Sequence, residues 1–84
     1  MITARQSSAA RKLLGWNQRD LSAAIAQAGG KLSVPAIIAF ERGGNMRKSN
    51  QALIRSTLEN AGIQIMSSGD VAIGDGVAIG KNRP

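Results

Sequence analysis

The chain has no cysteine, no histidine and no tyrosine, and only one tryptophan, one phenylalanine and two prolines. Without cysteine there are no disulfides, no iron–sulfur clusters, no thiolate zinc sites and no thiol nucleophile. Without histidine, the commonest metal ligand and the commonest general base at neutral pH are missing too. Acids are scarce: five Asp and Glu stand against eleven Lys and Arg. These absences predict a protein that is not an enzyme and that holds no metal and no cofactor. Long apolar runs are lacking as well, since no window approaches the roughly 18 residues of a membrane span. The opening Met1-Ile2-Thr3-Ala4-Arg5-Gln6 is too polar for a secretory leader. The expectation is a soluble, cytoplasmic protein with no membrane partner.

What remains is small and basic. Eighty-four residues make one small domain, and a chain of this size buries only about 60–65% of the surface its unfolded form exposes. The formal charge is +6. Residues 1–60 hold nine Lys or Arg against three acids, whereas residues 61–84 hold two of each, so the excess belongs entirely to the first segment. Such an asymmetry points to a polyanionic partner, nucleic acid before an anionic membrane surface. Solubility alone is the plainer explanation for the same charge.

Periodicity and punctuation divide the chain into four helical segments and a strand-like tail: residues 1–62 as a helical domain and 63–84 as a Gly-rich tail. Thr3-Ala4-Arg5-Gln6 has capping-box spacing, and Gly15 suits a left-handed helix end. On this first helix Gln6, Ala9, Ala10, Leu13 and Leu14 fall to one side, with Ser7, Ser8, Arg11 and Lys12 expected to face outward. Trp16 is expected to pack over the junction to a second helix capped by Asn17, with Asp20 in its first turn. Leu21, Ala24, Ile25 and Ala28 form its apolar arc, and Gly29-Gly30 ends it. A third helix opens at Ser33, with Pro35 early, where its missing donor costs least. Ile37, Phe40 and the edge residue Ala36 face inward, leaving Pro35, Ile38, Ala39 and Arg42 outward and Val34 at the rim. Ser49 or Asn50 is the expected cap of a fourth helix, whose stripe is Leu53, Ile54, Thr57, Leu58 and Ala61.

Beyond Gly62 the spacing changes to alternation. Ile63–Met66, Val71–Ile73 and Val77–Ile79 are short and β-branched. The Gly74-Asp75-Gly76 turn between the last two predicts a hairpin. Val-Ala-Ile-Gly occurs twice, at 71–74 and 77–80, too little to establish a solenoid. The fold class expected is mainly α: a compact four-helix domain with a short C-terminal β-hairpin or strand tail. Ten glycines invite a phosphate-loop reading, but no Gly-Lys-Ser/Thr occurs and no long helix follows Gly76. Asp70 and Asp75 are too few for a calcium loop and read as turn residues.

A compact helical pair carrying a basic excess can lay its second member in the DNA major groove while the first crosses the phosphate backbone. Leu13-Leu14-Gly15-Trp16-Asn17-Gln18-Arg19-Asp20-Leu21 and Leu32-Ser33-Val34-Pro35-Ala36-Ile37-Ile38-Ala39-Phe40-Glu41-Arg42-Gly43 resemble the helix-turn-helix core of the phage-repressor-like (Cro/C1, or XRE) transcriptional regulators. Leu53 to Gly62 resembles the helix that follows it. The likeness covers residues 3–65.

The resemblance implies a DNA-binding regulator, of repressor type, with the Ser33–Arg42 helix in the major groove of double-stranded DNA. It implies that Gln18 bonds a DNA phosphate and braces the recognition helix, with Arg19 beside it. Ser33, Val34 and Pro35 match the exposed start of that helix, and Ala36 and Ala39 fall where members often carry Thr and a polar base-reading residue. Arg42, Arg47 and Lys48 match the helix end and loop that approach the backbone. Two features depart from the pattern: several extra residues between Leu21 and Gly43, which require a longer second helix or a longer turn, and an outward face poor in hydrogen-bonding groups. Val34, Ile38 and Ala39 would touch thymine methyl groups, and sequence preference would be modest or would rest on DNA shape. The tail is expected either to cover the helical domain or to pair with that of a second chain, which would make a homodimer with recognition helices roughly 34 Å apart. The alternative is an antitoxin or protein-interaction module that uses the same fold as scaffold, with a toxin or co-regulator as partner.

Overall fold

A computed structural model describes residues 2–66 and 70–73. Four helices, α1 (Ala4–Leu14), α2 (Gln18–Gln27), α3 (Val34–Glu41) and α4 (Lys48–Asn60), are followed by two strands, β1 (Ile63–Ile65) and β2 (Val71–Ile73). The fold is mainly helical, with a short antiparallel sheet after the last helix, as the periodicity predicts. The strands pair in the register Ile63 with Ile73, Gln64 with Ala72 and Ile65 with Val71. The expected Gly74-Asp75-Gly76 turn and the Val77–Ile79 segment lie outside the described residues.

Helix boundaries follow from side chains that satisfy backbone groups left free at helix ends. At α1 the Gln6 amide donates to Thr3 Oγ1 at 3.1 Å and the Thr3 amide to Gln6 Oε1 at 2.9 Å. The same reciprocal pattern opens α2: the Asp20 amide donates to Asn17 Oδ1 (2.8 Å) and the Asn17 amide to Asp20 Oδ2 (2.9 Å). Ser33 caps α3 by accepting from the Ala36 amide at 3.3 Å. The fourth helix departs from expectation. It begins at Lys48 with Arg47 as its N-cap residue and no side-chain cap, so Ser49 and Asn50 lie inside its first turn. The turn is instead fastened by Gln51, whose Nε2 donates to Met46 O at 2.8 Å.

Ile2, Ala10, Leu21, Ile25, Leu32, Ile37, Phe40, Ile54, Leu58 and Ile63 make the core, with Leu14, Trp16, Leu53 and Ile65 packed against it. The sheet covers one end of this core, β1 against α4 and β2 against α1. The extra residues between α2 and α3 form a longer turn, since α2 ends at Gln27. Ala28 therefore lies outside the helix and is exposed, contrary to the expected arc. Two groups hold the turn: Ser22 Oγ donates to Leu32 O at 2.6 Å, and Leu32 is buried. Gly30 passes so near the core that a Cβ there would meet Ile25 and Leu53 at 3.0 Å.

Helix α1 buries a different face from the expected one. Gln6, Ser7, Ala10 and Arg11 are its buried residues, while Leu13 is 46% exposed. At roughly 100° per residue, the buried arc is turned by about 60° from the one that apolar periodicity predicts. Ser7 and Arg11 face inward because α3 presents a carboxylate to them.

Candidate nucleic-acid interface

That carboxylate is Glu41, the last residue of α3. Arg11 grips it with two bonds, Nη2 to Oε1 at 2.6 Å and Nε to Oε2 at 2.9 Å. Ser7 Oγ donates to Oε2 at 2.8 Å, and Gln18 Nε2 to Oε1 at 3.3 Å. The remaining reach of Arg11 goes to Trp16 O, at 3.0 Å from Nη1. One carboxylate thus joins α1, the start of α2 and the end of α3. Burial alone would raise the Glu41 carboxyl. The Arg11 and Ser7 bonds, the Arg11 charge and the Gln18 bond outweigh it and hold the group below its ordinary value.

With its end pinned there, α3 has two unlike sides. Ile37 and Phe40 are buried and Ala36 is half-buried against the core. Pro35, Ala39 and Arg42 are exposed and Ile38 is half-buried. These four positions fall within an arc of roughly 100° on the far side of the helix axis. Val34 is half-buried at the rim and Ser33 is exposed at the cap. The helix stops in two tight bonds, the Gly43 amide to Phe40 O and the Gly44 amide to Ala39 O, both 2.9 Å. Gly43 has φ +100° there, a conformation costly for a side chain with Cβ.

Exposed basic residues lie before and after this helix along the chain. Arg19 is exposed near the start of α2, and Arg42, Arg47 and Lys48 are exposed from the end of α3 to the start of α4. The ion pairs among the described residues are Arg11–Glu41 and the half-exposed Arg55–Glu59. The structure therefore brings Pro35, Ile38, Ala39 and Arg42 onto one ridge, with Val34 at its rim, Ser33 at its cap, and Arg47 and Lys48 following it along the chain. It sets Ala36 largely toward the core and directs Gln18 to Glu41. Arg11, Ser7 and Glu41, which position the ridge, were not among the expected site residues. No local pattern marks Arg11 or Ser7, because their partner Glu41 lies 30 or more positions away.

Among the described residues no three His, Cys, Asp or Glu gather as a metal site, and no helix is long and apolar enough to cross a membrane. No protein-family model, curated protein or solved structure matches the chain.

Proposed function

We propose that this protein is a DNA-binding transcriptional regulator of repressor type, similar to the phage-repressor-like (Cro/C1, XRE) helix-turn-helix proteins. The observation that carries the reading is the exposed ridge of α3, braced at its last residue to α1 and α2 and followed within seven positions by Arg42, Arg47 and Lys48. In this reading α3 enters the major groove and the cations meet phosphates. Gln18 acts chiefly as the brace, because its amide is already engaged by Glu41. Pro35, Ile38 and Ala39 supply contact area and methyl contacts, and Arg42 supplies the ridge's strong hydrogen-bond donor. A homodimer would present two such ridges to successive turns of one duplex.

The experiment is a titration of labelled duplex DNA by the full chain at several salt concentrations, with the Arg42→Glu and Arg47→Glu/Lys48→Glu variants alongside. The expected result is association that weakens steeply with salt and falls more than tenfold for either variant. Absence of salt-dependent association overturns the reading.

A second reading has one observation in its favour: apart from Arg42, the α3 ridge is apolar, which also suits a protein partner. An antitoxin or interaction module of this kind would co-purify with a stoichiometric partner, and Ala39→Glu would release it.

A further inference from the structure

We propose that the groove between α1 and the end of α3 is a second phosphate site, one that grips the DNA backbone beyond the stretch covered by α3. This inference rests on the DNA-binding reading above and adds a face of α1 that the helix-turn-helix pair does not include. The groove is open, about 540 Å³ in volume, and is lined by Ala4, Arg5, Ser8, Ala9, Lys12, Glu41, Arg42 and Gly43.

Three observations support a phosphate as its occupant. First, the cations converge from two elements. Positions 5, 8, 9 and 12 lie within an arc of roughly 100° on α1, and Arg42 approaches from the end of α3. Arg5, Lys12 and Arg42 are all exposed, and none has an ion-pair partner among the described residues. Second, the one acid in the lining does not offset them. Both Glu41 oxygens are taken by Arg11, Ser7 and Gln18, and its charge is matched by the buried Arg11 guanidinium. The groove thus keeps a net positive charge, which concentrates anions in a concave site. Third, the lining between the cations is small. Ala4, Ser8, Ala9 and Gly43 leave room for a bulky oxyanion, and the half-buried Ser8 has a hydroxyl with no hydrogen-bond partner among the described residues. Three long cationic side chains and a hydroxyl over a floor of small residues are the groups that position a phosphodiester without reading sequence.

The test measures binding of the full chain to a labelled random-sequence duplex by fluorescence anisotropy across a potassium chloride series. Arg5→Gln/Lys12→Gln is compared with a charge-matched control, Lys31→Gln/Arg55→Gln, whose sites lie outside the groove. Loss of one phosphate contact makes the slope of log K against log salt shallower by about one. The expected result is that change in the groove variant, with the control keeping the wild-type slope. Ser8→Glu, which sets a carboxylate in the groove, is expected to weaken binding more than tenfold, and Arg5→Lys/Lys12→Arg to retain the wild-type slope. A groove variant with the wild-type slope, or one matched by the control, overturns the second site while leaving the α3 reading standing. A wild-type chain that does not bind duplex at all overturns both.

Discussion

At the scale of single residues, the most consequential group is Glu41, a carboxylate held by Arg11, Ser7 and Gln18 with little solvent around it. A buried pair is a weak source of net stability, but removing one partner strands the other charge. Glu41→Ala is therefore expected to cost about 3–5 kcal/mol, lowering Tm by well over 10 °C for a domain this size. Arg11→Met/Glu41→Leu, which removes both charges, is expected to recover more than half of that loss. Thermal melts of the three chains decide it. The pH dependence has a definite sign. Because the folded Glu41 carboxyl titrates below its ordinary value of 4.5, its contribution is fully present above that value. It is lost as pH falls through the lowered folded value. Acid melts should show this destabilisation below about pH 4.5 in the wild type, and a reduced one in the double variant. The same residues mark where periodicity is least informative. Ser7 and Arg11 read as an outward polar face because hydropathy cannot register a carboxylate arriving from position 41. The cost of burying a guanidinium is met only once the two elements pack.

At the scale of elements, helix ends were more legible than helix faces. Thr3 with Gln6, Asn17 with Asp20, and Ser33 each satisfy their amides through groups three positions away, so short segments carry that information. The exception, α4, lacks a side-chain cap and relies on Gln51 reaching back to Met46, which no N-cap pattern announces. The stop of α3 is equally local but less forgiving. Gly44 must let its amide reach Ala39 O, and a Cβ there would stand 2.8 Å from that same oxygen. Gly44→Ala is expected to destabilise by about 1–3 kcal/mol and to move Arg42, so duplex affinity should fall further than that of a folded surface control such as Ala23→Ser. A Gly44→Ala chain with wild-type Tm and affinity would show that the helix end tolerates a shift. For the stretch between α2 and α3, local sequence leaves open an extended helix or a longer turn. The choice depends on Ser22 bonding Leu32 O, a contact between residues ten apart that only the packed state reveals.

At the scale of the whole molecule, the sheet and the charge do different work. The strand pair closes the α1–α4 end of the core, with Ile63 only 3% exposed and Gln6 Nε2 donating to Met66 O at 2.9 Å. Ile63→Ala is expected to cost about 2–4 kcal/mol, measured by urea melts. A partner test by truncation would therefore confuse unfolding with lost binding if it cut before β1.

The charge balance leads to a quantitative expectation. With Arg11 and Arg55 paired, the exposed cations Arg5, Lys12, Arg19, Lys31, Arg42, Arg47 and Lys48 exceed the remaining described acids, Asp20 and Asp70. If the α1–α3 groove takes one phosphate and Arg19, Arg47 and Lys48 take one each, four are neutralised. The slope of log K against log salt is then about −3.6. Raising salt from about 50 to 200 mM should weaken duplex binding on the order of 10²-fold. A slope near zero would mean that the cations serve solubility alone, and that the apolar ridge of α3 faces a partner other than DNA.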